Sequence, residues 1–292
     1  MNKEFNKGLL LAGFGSFWWG FFGVLYFKYI TFIGYIELVI HRCLWTTLTL
    51  ILTTFFFSKW DIFFKIIKSK QNLIYLFISG FLIFINWGVW IYAIATNRII
   101  DASFGYFIMP ILSVLLGYIF FKEKLNNKRI FSITLVILSI LYLIFVSLKS
   151  LPWVGIIVAL SWGFYNLVRK KINVDTDIGL LIESLFILPI AIIVFYIIAS
   201  NGYNDFSLSN PSMMLIILLA GPMTVIPLFL YVRGVELCGL GPSGMIFYIT
   251  PTLQFLLGFF YYDEVFSFNK LVSFIIIWVA VIIYLRDLYE TN

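Results

Sequence analysis

Ten runs of roughly twenty apolar residues follow one another along this chain, separated by short polar breaks. A helix rises about 1.5 Å per residue, so a run of roughly 20 crosses the hydrocarbon core of a bilayer. The runs lie near 8–27, 35–57, 73–95, 103–121, 130–147, 153–168, 178–199, 212–231, 241–260 and 271–285, the sixth and tenth being the shortest. In lipid the backbone must satisfy its own hydrogen bonds, and runs of this length do so as helices. The sequence therefore reads as an all-α polytopic membrane protein with ten transmembrane helices. Composition agrees. Of 292 residues, 62% are hydrophobic and 12% charged, against about 25% charged in a soluble domain. Such a chain cannot cover a water-facing surface. The first run is too long for the core of a signal peptide and reads as a retained span.

Ten spans put both termini on one side. With that side cytoplasmic, 15 of the 20 Lys and Arg fall inside, from Lys3 and Lys7 through Lys122, Arg169 and Arg233 to Arg286. Lys28, Arg98, Lys149 and Lys270 fall outside, and Arg42 lies within the second span. This asymmetry is the positive-inside pattern. It also accounts for the net charge of +6 without a nucleic-acid partner. Cys43 and Cys238 form no disulfide framework or metal-ligand spacing, so neither metal nor cofactor is expected.

The two halves resemble each other. Pro110, Leu115-Leu116-Gly117 and Glu123 recur as Pro251, Leu256-Leu257-Gly258 and Glu264, 141 residues on. Trp19-Gly20 recurs as Trp162-Gly163 at an offset of 143. Five spans per half make the repeats inverted, over 1–148 and 149–292. Inverted repeats are a recurring transporter architecture with the solute site near the midplane; a duplication that no longer transports is the alternative.

Charged groups inside the spans are costly and should face protein or a wet cavity. Glu37, His41 and Arg42 lie in the second span and Glu183 in the seventh. Glu37, His41 and Trp45, at i, i+4 and i+8, make one stripe. Glu37 lies near the outer interface, where it serves either a site or the headgroups. Arg42 and Glu183 are 141 residues apart, hence equivalent in the two halves, but their depths differ by about 14 Å at helical rise, which disfavours a direct pair. The expectation is a cavity spanning the midplane, with Arg42 nearer its outer end and Glu183 nearer its inner end; the alternative is two structural charges met by carbonyls, Tyr or Asn. Asn86, Tyr92, Tyr106, Asn166, Tyr248 and Gln254 are candidates to line the same space, although Tyr in bundles is more often packing. Pro110 and Pro251 each remove an intrahelical hydrogen bond and are candidate gating kinks. Pro222 and Pro227 also lie within a span.

Several segments resemble a known family. Glu37-Leu-Val-Ile-His-Arg-Cys-Leu-Trp45, Asn86-Trp87, Ala102-Ser-Phe-Gly-Tyr-Phe-Ile-Met-Pro110, Phe164-Tyr-Asn-Leu-Val-Arg-Lys-Lys171, Leu181-Ile-Glu183 and Tyr248-Ile-Thr-Pro251 are similar to the RarD family. That family lies in the EamA branch of the drug/metabolite transporter superfamily, and the match runs in order along nearly the whole chain. It implies two inverted five-helix repeats in a bacterial plasma (inner) membrane, moving a small organic solute through a central cavity. It assigns no catalytic residue. The leading expectation is a secondary transporter, with lipid around it, working by alternating access as a monomer. No Gly-x-x-x-x-Gly-Lys-Ser/Thr loop occurs to bind ATP. Proton coupling through Glu183 or His41 and uncoupled movement both stay open. The alternatives are a structural or regulatory membrane subunit and an intramembrane transferase, for which one His and two separated carboxylates make a poor site.

Overall fold

Backbone polar groups that face hydrocarbon must bond within their own segment. The computed structural model, which describes residues 3–96, 99–147, 153–172, 174–206, 210–261 and 268–291, is accordingly helical, with no strand among the described residues. The elements are α1 (Lys3–Trp18), a π-helical turn (Trp19–Gly23), α2 (Val24–Tyr29), α3 (Tyr35–Phe56), α4 (Trp60–Ile67) and α5 (Lys70–Ala95). They continue with α6 (Ile99–Phe121), α7 (Asn127–Ser147), α8 (Trp153–Lys171), α9 (Thr176–Ser200) and α10 (Pro211–Leu218). The chain ends in α11 (Ala220–Cys238), α12 (Leu240–Ile246), α13 (Ile249–Tyr261) and α14 (Phe268–Thr291). Large apolar side chains point outward, among them Phe14, Phe56 and Phe145, as expected of a surface solvated by lipid.

Seven stretches are long and apolar enough to cross a membrane: Lys3–Tyr29, Tyr35–Phe56, Lys70–Ala93, Asn127–Val146, Thr176–Ser200, Pro211–Cys238 and Leu271–Glu290. The other three expected spans fall short for separate reasons. The run at 103–121 is represented by the shorter apolar stretch Gly105–Phe121. The 19-residue α8 ends in Arg169, Lys170 and Lys171. The run at 241–260 is cut into α12 and α13, with Phe247 and Tyr248 between them.

Packing pairs distant segments. Helix α1 lies along α11, α3 along α9, α5 along α8 and α7 along α14, while α6 lies on α8 and α13 on the π turn. Small residues set the closest approach. A Cβ on Gly15 would stand 2.8 Å from the Pro227 carbonyl oxygen and 2.9 Å from the Tyr231 nitrogen. Such backbone contact is open only to glycine, the small-residue packing common between helices in lipid. At one end of the bundle, Lys59 Nζ donates to Asp177 at 2.7 Å and Asp175 at 3.4 Å. Burial opposes the charge on Lys59, but these two carboxylates outweigh it and raise its pKa. Arg129 pairs with Asp287 at 2.8 Å, and Lys128 with Glu290 at 2.8 Å. Glu123 caps α12, accepting from the N–H groups of Leu240 (2.8 Å) and Gly241 (2.9 Å). Its repeat counterpart, Glu264, lies outside the described residues.

Candidate functional site

A narrow cleft lies where α3, α5, α6, α8, α13 and the π turn converge, with about 20 Å³ open to the centre of a water molecule. Its walls are flat rings: Trp19 from the π turn, Trp87 and Trp90 from α5, Tyr106 from α6, Trp162 from α8 and Phe247 from the α12–α13 break. Trp19 and Trp162, matched by the sequence repeat, meet edge to face at 5.1 Å. Arg42, Asn86, Thr250 and Gln254 supply its polar groups. Arg42, Asn86, Tyr106 and Gln254 were legible in the sequence; the tryptophans, Phe247 and Thr250 were not, because they arrive from five elements with no shared spacing.

Arg42 is 2% exposed. Its Nε donates to Thr224 Oγ1 at 3.0 Å. Its guanidinium carbon lies 4.7, 4.5 and 5.8 Å from the ring centroids of Phe27, Trp87 and Trp90, within cation–π range of about 6 Å. Asn86 Nδ2 donates to the Val158 carbonyl and to Ser161 Oγ, each at 3.1 Å, which fixes α5 against α8. Pro110 and Pro251 each lie about one turn beyond a cleft residue, Tyr106 and Phe247. Proline at position i leaves the carbonyl at i−4 without its helical donor, and for Pro110 and Pro251 those carbonyls belong to Tyr106 and Phe247. The two rings meet at 5.6 Å, tilted by 51°. The Phe247 carbonyl instead accepts from the Thr250 N–H at 2.9 Å.

Glu183 is not in this cleft. It belongs to a second buried cluster, where its Oε1 lies 3.5 Å from Arg169 Nη1. Ser79 Oγ donates to it at 2.5 Å and Tyr165 OH at 3.2 Å. Arg169 also lies 3.6 Å from Glu236 and donates to the Thr176 carbonyl at 3.1 Å. Glu236 in turn accepts from Arg233 at 2.9 Å and from Thr176 Oγ1 at 2.7 Å. Sequence counting treated Arg169 as a loop cation. The structure buries it at 1% exposure, because Gly179 on α9 leaves the space that its guanidinium fills and that a Cβ would occupy. The signal was present but faint: Gly179 is one turn before Glu183, so a gap and a carboxylate share one stripe.

The Glu37–His41–Trp45 stripe forms as its spacing predicts, but it faces Phe195, Phe206 and the segment after α9 rather than the cleft. Trp45 Nε1 donates to His41 Nδ1 at 3.1 Å, so His41 Nε2 carries the proton and donates to Glu37 at 3.2 Å. Glu37 is 2% exposed and accepts from the N–H groups of Asp205 and Phe206 at 2.9–3.2 Å. Of the two readings for Glu37, headgroup contact is thereby replaced by an internal cap. Burial and the neighbouring Glu37 charge push the Asp205 carboxyl up. Tyr92 packs on Tyr35 and Trp153, and Tyr248 OH donates to the Phe107 carbonyl at 2.9 Å; neither lines the cleft. Asn166 is buried with no hydrogen-bond partner for its amide among the described residues.

Comparison with known proteins fits this arrangement. The EamA-like transporter family matches residues 6–145. Over 290 residues the chain is 33% identical to protein RarD of Escherichia coli strain K12, covering 99% of this chain and 97% of that protein. The chain belongs to the RarD family. Another member-like relative, named an uncharacterized transporter, is YojE of Bacillus subtilis strain 168, 33% identical over 286 residues, with 97% of this chain and 95% of YojE covered. A Pseudomonas aeruginosa relative named chloramphenicol-sensitive protein RarD is 23% identical over 254 residues, covering 85% and 83%. One crystal structure superposes with a TM-score of 0.69 at 13% identity, covering 95% of this chain and 96% of that one, which establishes a shared fold. This RarD-family chain is thus a multi-pass membrane transporter of the drug/metabolite transporter superfamily.

Proposed function

We propose that the protein carries a small organic solute across the bacterial plasma membrane by alternating access, with the Arg42 cleft as its binding site. The carrying observation is a buried cation in an aromatic cleft at the meeting of six segments. In this reading, 1–148 and 149–292 are two inverted five-helix repeats that rock about the cleft. The packing supports it: α1 against α11 mirrors α8 against α5, and the π turn against α13 mirrors α8 against α6. The α3–α9 and α7–α14 contacts are then the two self-paired ones. The family match to residues 6–145 has the length of one such repeat. Both termini lie in the cytoplasm, as the Lys and Arg asymmetry requires, and the chain works as a monomer. The Arg169–Glu183–Glu236 cluster closes the inner side. The prolines at 110 and 251 let the Tyr106 and Phe247 segments bend as the cleft opens.

The test is solute uptake by purified protein in liposomes. Flux that disappears in Arg42→Ala and in Glu183→Gln, with both variants folded, supports the mechanism. Unchanged flux in both removes these residues from it.

A further inference from the structure

Arg42 differs from every other buried ionic group described above. Glu183 has Arg169 at 3.5 Å. Arg169 has Glu183 and Glu236. Glu37 has His41 and two backbone N–H groups. Arg42 has no carboxylate within 4 Å among the described residues; its contacts are one threonine hydroxyl and three ring faces. A guanidinium carries five N–H donors in a planar fork. One is used on Thr224, and the four on Nη1 and Nη2 meet no acceptor among the described residues although Arg42 lines the cleft. Ring faces attract a cation but accept no in-plane hydrogen bond, so the fork that matches a carboxylate is left unfilled.

Taking the cleft to be the transport site, as proposed above, we infer that its solute is an organic anion: a carboxylate on a flat apolar body. Arg42 grips the carboxylate. The Trp19, Trp87, Trp90 and Trp162 rings cover the body. Gln254, whose amide makes no hydrogen bond among the described residues, lines the same cleft and can meet a neutral polar substituent. A cationic amine meets no carboxylate among the described residues that line this cleft, and meets the Arg42 charge instead.

Three probes of nearly one shape separate the classes: phenylacetate, phenylacetamide and phenethylamine. Binding to purified protein in nanodiscs is read by quenching of tryptophan fluorescence, since four tryptophans line the cleft. The expected result is phenylacetate bound at least about tenfold more tightly than either of the others, a difference of about 1.4 kcal/mol. That preference disappears in Arg42→Gln and is partly kept in Arg42→Lys. The wild-type ranking alone decides the matter if the Arg42 variants do not fold. Equal or tighter binding of the amide or amine overturns the inference, as does binding of none of the three or an anion preference that survives Arg42→Gln. Uptake of the same labelled probes into liposomes separates this inference from the transport reading. Entry of the amine or amide with phenylacetate excluded sinks the anion and leaves transport standing. Arg42-dependent phenylacetate binding with no flux of any probe keeps the anion site and counts against transport.

Discussion

Replacing Arg169 by methionine asks whether the inner cluster is held by mutual charge. Methionine keeps a straight apolar stem and removes the guanidinium. Glu183, 2% exposed, then keeps its bonds from Ser79 and Tyr165 but loses the one cation within 4 Å of it among the described residues. Glu236 keeps Arg233. Removing one partner of a buried pair costs about 3–5 kcal/mol. The Arg169 contacts, at 3.5 and 3.6 Å, are longer than the roughly 2.7–2.9 Å of charge-assisted hydrogen bonds, so the cost falls at the low end, about 3 kcal/mol. At roughly 2–4 °C per kcal/mol for a large chain, the Tm drops by about 6–12 °C. Adding Glu183→Gln to Arg169→Met removes the stranded charge and recovers most of the loss. Cys43 and Cys238 are free and buried, so a thiol-reactive dye reports unfolding in detergent without further labelling. A single variant within 2 °C of the parent, or a double variant less stable than the single, would refute the charge argument.

Glu37→Ala frees the N–H groups of Asp205 and Phe206; losing hydrogen bonds to a charged acceptor costs about 1.5–3 kcal/mol, and hydrogen exchange at those two amides should quicken by roughly ten- to a hundredfold. Gly15→Ala forces a Cβ into the Pro227 and Tyr231 backbone and should lower stability by about 1–3 kcal/mol. Gly13→Ala, whose nearest neighbour is an Ile246 methyl at 3.7 Å, serves as its silent control in the same melting assay. Asn166→Leu removes a buried amide that has no partner among the described residues and should hold or raise the Tm, since an unmet buried polar group costs about 1–3 kcal/mol; a marked fall would mean the amide is bonded.

The spans were legible because a run of apolar residues long enough to cross lipid has few other fates. Their interruptions were not. The π turn at Trp19–Gly23 and the breaks at Leu219 and Phe247 leave composition unchanged, and only packing against other segments selects them. At the site, Arg42 could be read as bordering a cavity because burying its charge elsewhere is costly. Its neighbours could not, since Phe27, Trp87 and Trp90 reach it from two other segments. Arg169 was misassigned for a physical reason: positive-inside counting weighs an Arg-Lys-Lys run as a unit, whereas a glycine on the adjacent helix draws one member of that run inward.

Positions 42 and 183 occupy equivalent places in the proposed duplication and carry opposite charges, which invites the idea that they neutralise each other. Their surroundings argue otherwise. Arg42 is faced by rings, whose electron-rich faces favour a cation, and by no carboxylate among the described residues. Glu183 is faced by Arg169. Each sign is therefore stabilised by its own neighbours, and the spare Arg42 donors border the cleft. A charge exchange discriminates between the two ideas. If the pair were mutual, Arg42→Glu with Glu183→Arg would preserve it and melt within a few degrees of the parent. If each environment is specific, the exchange sets an anion against three ring faces and a cation against Arg169. Each misplaced buried charge then costs about 3–5 kcal/mol, and the doubly exchanged protein should be less stable than either single variant. A doubly exchanged protein more stable than both single variants would show that the two charges do feel one another across the bundle, and the separation of cleft from inner cluster would fail.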